Sequence, residues 1–183
     1  GRLRAYVAVF EEYFAYLTSA QKEQTLSFLY ELLMDRDGDI RRQAAALIGR
    51  ILATFCTGYK KELPADVAQD PEEDRPYVLW SEYLERILRP DRRLTPRQIS
   101  LIRYTAKLVL ESLLEHCTAA EGERFTAELL RHYDNPAHVD GDTAFALLDA
   151  VVSLPADHCP PAAAEKLTSF AAWWLRRGTP PQQ

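Results

Sequence analysis

The stretch from Asp35 to Phe55, DRDGDIRRQAAALIGRILATF, limits the possible folds more than any other part of the chain. It reads as an acidic turn followed by one amphipathic helix. Ile40, Ala44, Leu47, Ile48, Ile51, Leu52 and Phe55 recur at helical spacing and form one apolar face. Arg42, Gln43 and Arg50 fall mostly on the other side. Asp39 is the expected N-cap, its carboxylate accepting from an orphan amide of the first turn. Asp35 and Asp37 add negative charge near the positive end of the helix dipole. Gly38 suits a backbone position with positive φ. Gly49 costs about 1 kcal/mol relative to Ala inside a helix, so its presence predicts close approach of a neighbouring helix.

The rest of the chain can be arranged as helices on either side of this one. Residues 2–17 carry a stripe of Leu3, Tyr6, Val7, Phe10, Phe14 and Leu17, widened by Val9, Tyr13 and Tyr16, which predicts a helix packed on more than one side. Thr18 or Ser19 caps a second helix over about 19–34, with Leu26, Leu29, Tyr30 and Leu33 on its face and Phe28 and Leu32 beside it. Gly58, Pro64, Pro71 and Pro76, with clustered Asp66, Asp70, Glu72, Glu73 and Asp74, mark a long loop over 56–76. A helix over about 77–89 follows, with Val78, Leu79, Tyr83, Ile87 and Leu88, and is ended by Pro90. Thr95-Pro96 is an N-cap followed by Pro at the first helical position. The helix it opens, 96–116, presents Ile99, Ile102, Ala106, Val109, Leu110 and Leu113. Another spans about 119–133, closed by Asp134-Asn135-Pro136. HVDGDTAFALLDAVVSL then repeats the opening pattern, with Asp142 as the expected cap and Ala144, Leu147, Leu148, Val151 and Val152 on its face. A last helix, about 161–177, carries Leu167, Phe170, Ala171, Trp174 and Leu175, and 178–183 forms a tail.

The Asp35–Phe55 stretch resembles a HEAT repeat. The residues that carry the likeness are Asp37 and Asp39, then Ile40 and Arg41, the small Ala44 and Ala45, and finally Leu47, Ile48 and Gly49. The resemblance covers about one helix and its turn. It implies an all-α chain of about eight helices stacked as antiparallel hairpins, a HEAT/ARM-like α-solenoid that binds other macromolecules and has no catalytic centre. The second helices would start near 39, 96 and 142, intervals of about 57 and 46 residues, against about 40–47 for HEAT-like units. On this reading residues 1–177 are one repeat domain. The stretch also resembles, more faintly, helical segments of large bacterial proteins that carry an HD phosphohydrolase domain elsewhere. That likeness implies a regulatory domain whose active site lies outside this chain. A third expectation is a nucleic-acid-binding domain of the kind found in HEAT-like DNA-repair glycosylases.

Composition narrows these. A net charge of −5 over 183 residues argues against nucleic acid as partner. No apolar run of about 18 residues exists to span a membrane. Three cysteines, an odd number without metal-like spacing, favour a reducing, cytoplasmic setting. The N-terminus, Gly1-Arg2-Leu3, has no signal-peptide pattern and reads as the edge of an excised domain.

Chemistry-bearing patterns are few. The acidic turn fails as an EF-hand: counted from Asp35, the sixth residue is Ile40 where Gly is needed and the twelfth is Ala46 where Glu is needed. His116-Cys117 and His158-Cys159 are adjacent pairs, but neighbouring residues on a helix splay apart, so no zinc site is expected. No G-x-S-x-G, phosphate-binding Gly-rich loop or H-E-x-x-H occurs, and neither an enzymatic activity nor a cofactor is expected. The functional lead is a basic run, Arg86, Arg89, Arg92, Arg93, Arg97, Arg103 and Lys107, which Arg42 and Arg50 extend if the second helices line one surface. Trp173, beside the core-facing Trp174, is the second lead. The expected partner surface is therefore Arg42, Arg50, Arg93, Arg97, Arg103, Lys107 and Trp173, and the expected partner a protein or peptide.

Overall fold

The computed structural model describes residues 16–56, 75–153 and 163–177, together with positions 5, 8, 9, 12 and 13. Seven α-helices follow one another among them: α1 Ser19–Leu32, α2 Gly38–Phe55, α3 Arg75–Leu88, α4 Pro96–Glu115, α5 Ala119–Arg131, α6 Gly141–Val152 and α7 Ala163–Arg177. Short 3-10 turns at His132–Asp134 and Pro136–His138 join α5 to α6. No strand occurs among the described residues. Of the helix expected over 2–17, only Ala5, Ala8, Val9, Glu12 and Tyr13 are described as helical, and Leu3, Tyr6, Val7, Phe10 and Phe14 lie outside the described residues. Val9, Tyr13 and Tyr16 are exposed, so the second flank expected there is not covered.

The α2 face is buried as its spacing requires, from Ile40 through Ile48 to Phe55. Its heaviest contact is with α4. At the crossing a β-carbon on Gly49 would lie 2.6 Å from the Leu113 amide nitrogen and 2.7 Å from the Val109 carbonyl oxygen. Only a hydrogen fits, which is the close approach that Gly49 predicts. The Ser112 hydroxyl donates to the Ala46 carbonyl at 2.5 Å across the same contact.

Two runs of neighbours extend from this pair. The even-numbered helices adjoin in order, α2 on α4 and α4 on α6. Among the odd-numbered ones, α3 packs on α5 and α5 on α7. The rings of Tyr30 on α1 and Tyr83 on α3 stack at 5.9 Å, and Arg75 forms an ion pair with Glu23. Trp80 is fully buried, and its indole N–H donates to the Phe125 carbonyl at 2.8 Å, tying α3 to α5. An aromatic cluster of Tyr133, Phe145, Phe170 and Trp174 docks α7.

The caps differ from expectation by two residues. Asp37, not Asp39, caps α2, accepting from the Asp39 amide at 2.8 Å. Asp39 lies inside the first turn and pairs with Arg42. Gly38 is the first helical residue, and among the described residues no glycine has positive φ. The turn is held instead by Arg41, which donates to the carbonyls of Asp35 (2.6 Å) and Arg36 (3.1 Å). Likewise Asp140, not Asp142, caps α6. In each D-G-D the aspartate before the glycine still has extended backbone, as an N-cap needs, whereas the one after it is already helical.

Thr18, Thr95 and Thr118 each complete a reciprocal capping box, with Gln21, Gln98 and Glu121 respectively. Helix α3 begins at Arg75, so Arg75 and Pro76 belong to it rather than to the expected loop. Residues 57–74, including the acidic cluster, lie outside the described residues, as do His158-Cys159, the 178–183 tail and the side chain of Leu167. Val152 and Leu175, both expected in the core, are exposed.

Candidate functional site

A cleft of about 820 Å3 opens where the end of α1, the end of α3 and the start of α4 meet. Its size falls within the roughly 300–1,000 Å3 of ligand pockets. Local sequence places each wall. The tight turn after Leu32 brings Leu33 and Met34 to the cleft, and Pro90 ends α3 so that Asp91–Leu94 fold back before Thr95 caps α4. Leu33, Ile87, Leu94 and Ile102 supply apolar surface. Arg86, Arg89 and Arg93 supply positive charge, and Glu31, Glu85 and Asp91 match it in number.

The cations are not equally engaged. Arg93 donates to Asp91 through Nη2 at 2.7 Å and Nε at 3.2 Å, and these bonds hold the Asp91 carboxyl down at about 2. Arg89 donates to Glu85 at 3.0 Å and contacts His132 Nδ1 at 3.1 Å. A guanidinium can only donate, so that His132 nitrogen carries a lone pair. Burial, and then the Arg89 charge, push the His132 pKa down, in keeping with a neutral ring. Arg86 lies over the Tyr30 ring at 4.7 Å and has no carboxylate partner among the described residues.

The Tyr83 ring stacks with that of Tyr30 and also with that of Trp80, at 5.5 Å. Tyr83 is fully buried, yet it forms part of the cleft wall, and its hydroxyl has no acceptor among the described residues. Burial raises the pKa of both tyrosines, so both are neutral hydrogen-bond donors at physiological pH.

The structure disperses the residues singled out in the sequence. Arg93 borders the cleft. Arg103 instead bridges α4 to α6, donating to Asp140 at 3.1 Å and to the Thr143 hydroxyl at 3.2 Å, with Asp142 at 3.6 Å. Lys107 pairs with Glu111 at 3.8 Å along α4, and Arg42 pairs with Asp39. Arg97 is exposed in the first turn of α4, and Arg50 is half-buried on α2. Trp173 is half-buried on α7, its ring 5.3 Å from that of Trp174. Only Arg93 of these seven reaches the cleft, where it joins Arg86 and Arg89 of the same basic run.

Tyr30 and Tyr83 were legible only as core positions. Their meeting depends on contact between helices 53 residues apart, and no local pattern signals it.

Among the described residues no three His, Cys, Asp or Glu gather as a metal-holding group. His116 Nδ1 lies 2.7 Å from the Ser112 carbonyl and so carries the proton of that bond. Burial pushes the adjacent Cys117 thiol up to about 11, away from a reactive thiolate. No described helix is long and apolar enough to cross a membrane. Set against family models, curated proteins and solved structures, the chain finds no match in any of the three.

Proposed function

We propose that this chain is a non-enzymatic interaction module, a HEAT-like array of helical hairpins that recognises a protein or peptide segment. The reading is supported by the order of contacts, in which even-numbered helices adjoin even-numbered ones and α3, α5 and α7 adjoin in turn. The recurrence of an acidic, glycine-containing turn before α2 and α6 supports it too. The observation that carries it is the cleft, with apolar walls, a charged rim and contributions from α1, α3 and α4. That combination suits an extended segment with alternating apolar and polar side chains. The equal numbers of arginines and carboxylates around the cleft disfavour a polyanion such as nucleic acid.

The test is an unbiased array of immobilised short peptides probed with the purified chain, with duplex DNA added as competitor. The module reading expects saturable binding to a subset of peptides that DNA does not displace. Binding to no peptide, or displacement by DNA at physiological salt, would overturn it.

A further inference from the structure

We infer that Arg89, His132 and Glu85 form a proton-operated latch between the end of α3 and the end of α5. The neutral His132 ring holds Arg89; when the ring takes a proton from solvent it turns to Glu85, and Arg89 is released. The inference concerns the rim of the cleft and does not depend on what the cleft binds.

The geometry defines both states. Arg89 Nη1 donates to Glu85 Oε1 at 3.0 Å and lies 3.1 Å from His132 Nδ1. Glu85 Oε1 lies 3.8 Å from that same ring nitrogen. Nδ1 accepts from Arg89 only while it carries no proton. Once protonated it is a donor facing a guanidinium that also only donates, and the Glu85 carboxylate becomes its acceptor. A closure of about 1 Å brings that pair within hydrogen-bond reach. Exposure decides which group gives way. The His132 side chain is 10% exposed, against 35% for Arg89 and 54% for Glu85. The ring stays, and Arg89 swings out into solvent. Arg89 and Glu85 both line the cleft, so a single proton changes its rim.

The charged surroundings set the switch point. Arg89 and Glu85 face the ring from the α3 side, and Glu128 faces it from α5. Glu128 is paired with Arg131 at 3.0 Å. Helix α7 also packs on this turn and brings Lys166, paired with Asp134 at 3.0 Å. Helix α6 meets the turn through the Ala144 carbonyl, which accepts from Tyr133, while Asp140 and Asp142 face Arg103. Burial and then Arg89 oppose protonation of the ring, and Glu85 and Glu128 favour it. The negative end of the α5 dipole favours it too. The balance places the switch below the ordinary histidine value of about 6.5.

The test is side-chain NMR of the whole chain between about pH 7.5 and pH 5, following the His132 ring nitrogens and the Arg89 guanidinium. The parent is compared with His132→Gln, Arg89→Gln and Arg89→Lys. At neutral pH the His132 proton is expected on Nε2. His116, whose Nδ1 bonds the Ser112 carbonyl, gives the opposite tautomer as an internal contrast. The Arg89 signals are expected to shift, and to exchange faster with solvent, at the midpoint of the His132 titration, and to stay unchanged in His132→Gln. Arg89→Gln is expected to raise that midpoint, and Arg89→Lys, which keeps the charge, to leave it low. A neutral ring protonated on Nδ1, or Arg89 signals indifferent to the His132 titration, overturns the latch. So does a midpoint unmoved by Arg89→Gln in a variant whose backbone spectrum matches the parent. The tautomer and the Arg89 signals are read in the parent alone, so they decide the matter even where a variant fails to fold.

Discussion

Gly49 on α2 meets Leu113 on α4 backbone to backbone, with 2.6 Å between the Leu113 amide nitrogen and the place a Gly49 β-carbon would occupy. At an ordinary helix position Gly→Ala stabilises by about 1 kcal/mol. Here the added methyl meets main-chain atoms of α4 that no rotamer change can move. Gly49→Ala is therefore expected to destabilise by about 1–3 kcal/mol, the usual cost of overpacking. Urea unfolding with an unchanged m-value measures it, and a gain in stability would contradict the crossing.

The Asp140 carboxylate organises the start of α6. Its Oδ2 accepts from the Thr143 amide at 3.0 Å, the Thr143 hydroxyl at 2.5 Å and Arg103 at 3.1 Å. Its own amide donates to the Leu88 carbonyl at 2.7 Å, joining α6 to the end of α3. Burial works to raise its pKa, but the Thr143 hydrogen bonds and Arg103 outweigh it and hold the carboxyl below its ordinary value. A depressed carboxyl contributes stability above its unfolded pKa and loses it as pH falls through its folded one. Asp140→Ala is expected to cost about 0.5–2 kcal/mol at neutral pH, the range for a lost cap. That deficit relative to the parent should shrink below about pH 4. A pH series of thermal unfolding for the pair checks it.

The residues that the sequence locates well are those whose role is local. The α2 face, Thr95-Pro96 as the start of α4, and Gly49 as a contact point all follow from spacing and backbone chemistry. The misplaced caps are also local, but D-G-D offers two aspartates of equal chemistry, and only the backbone conformation chooses between Asp37 and Asp39. The partners of the basic run are hidden for a different reason. Counting arginines from 86 to 103 does not reveal that Glu85, Asp91 and Asp140 are their partners, and Asp140 lies 37 residues from Arg103. The Tyr30–Tyr83 stack arises from contact of α1 with α3 and has no signature in either segment alone.

His132 links the end of α5 to the cleft wall through Arg89 and Glu85. Its pKa is pushed down by burial first and by Arg89 second, with Glu85 and Glu128 opposing. The unfolded chain therefore takes up its proton before the folded protein does. Stability is expected to decline as pH falls below about 6.5, the unperturbed His value, well above the carboxylate range. His132→Gln should flatten the decline between about pH 7 and pH 5. An unaltered slope in the variant would assign it to other groups.

Tyr83→Phe removes a buried hydroxyl that has no acceptor among the described residues. Buried tyrosines normally lose stability when truncated to Phe because a hydrogen bond is broken. In this position the unliganded protein is expected to be unchanged or stabilised by up to about 1 kcal/mol, since an unmatched desolvation cost is removed. Calorimetric unfolding of the variant measures the sign, and a loss above about 1 kcal/mol would show that the hydroxyl has a partner in the free protein.

The central claim is that recognition takes place in the cleft bordered by Leu33, Met34, Arg86 and Leu94. Amide hydrogen exchange of the whole chain, with and without a peptide selected on the unbiased array, tests it most directly. Bound peptide is expected to slow exchange at Leu33–Met34 and across Leu94–Gln98, with little change on α7. Protection confined to the surroundings of Trp173, or absent from the α1, α3 and α4 walls despite saturating peptide, would contradict the account.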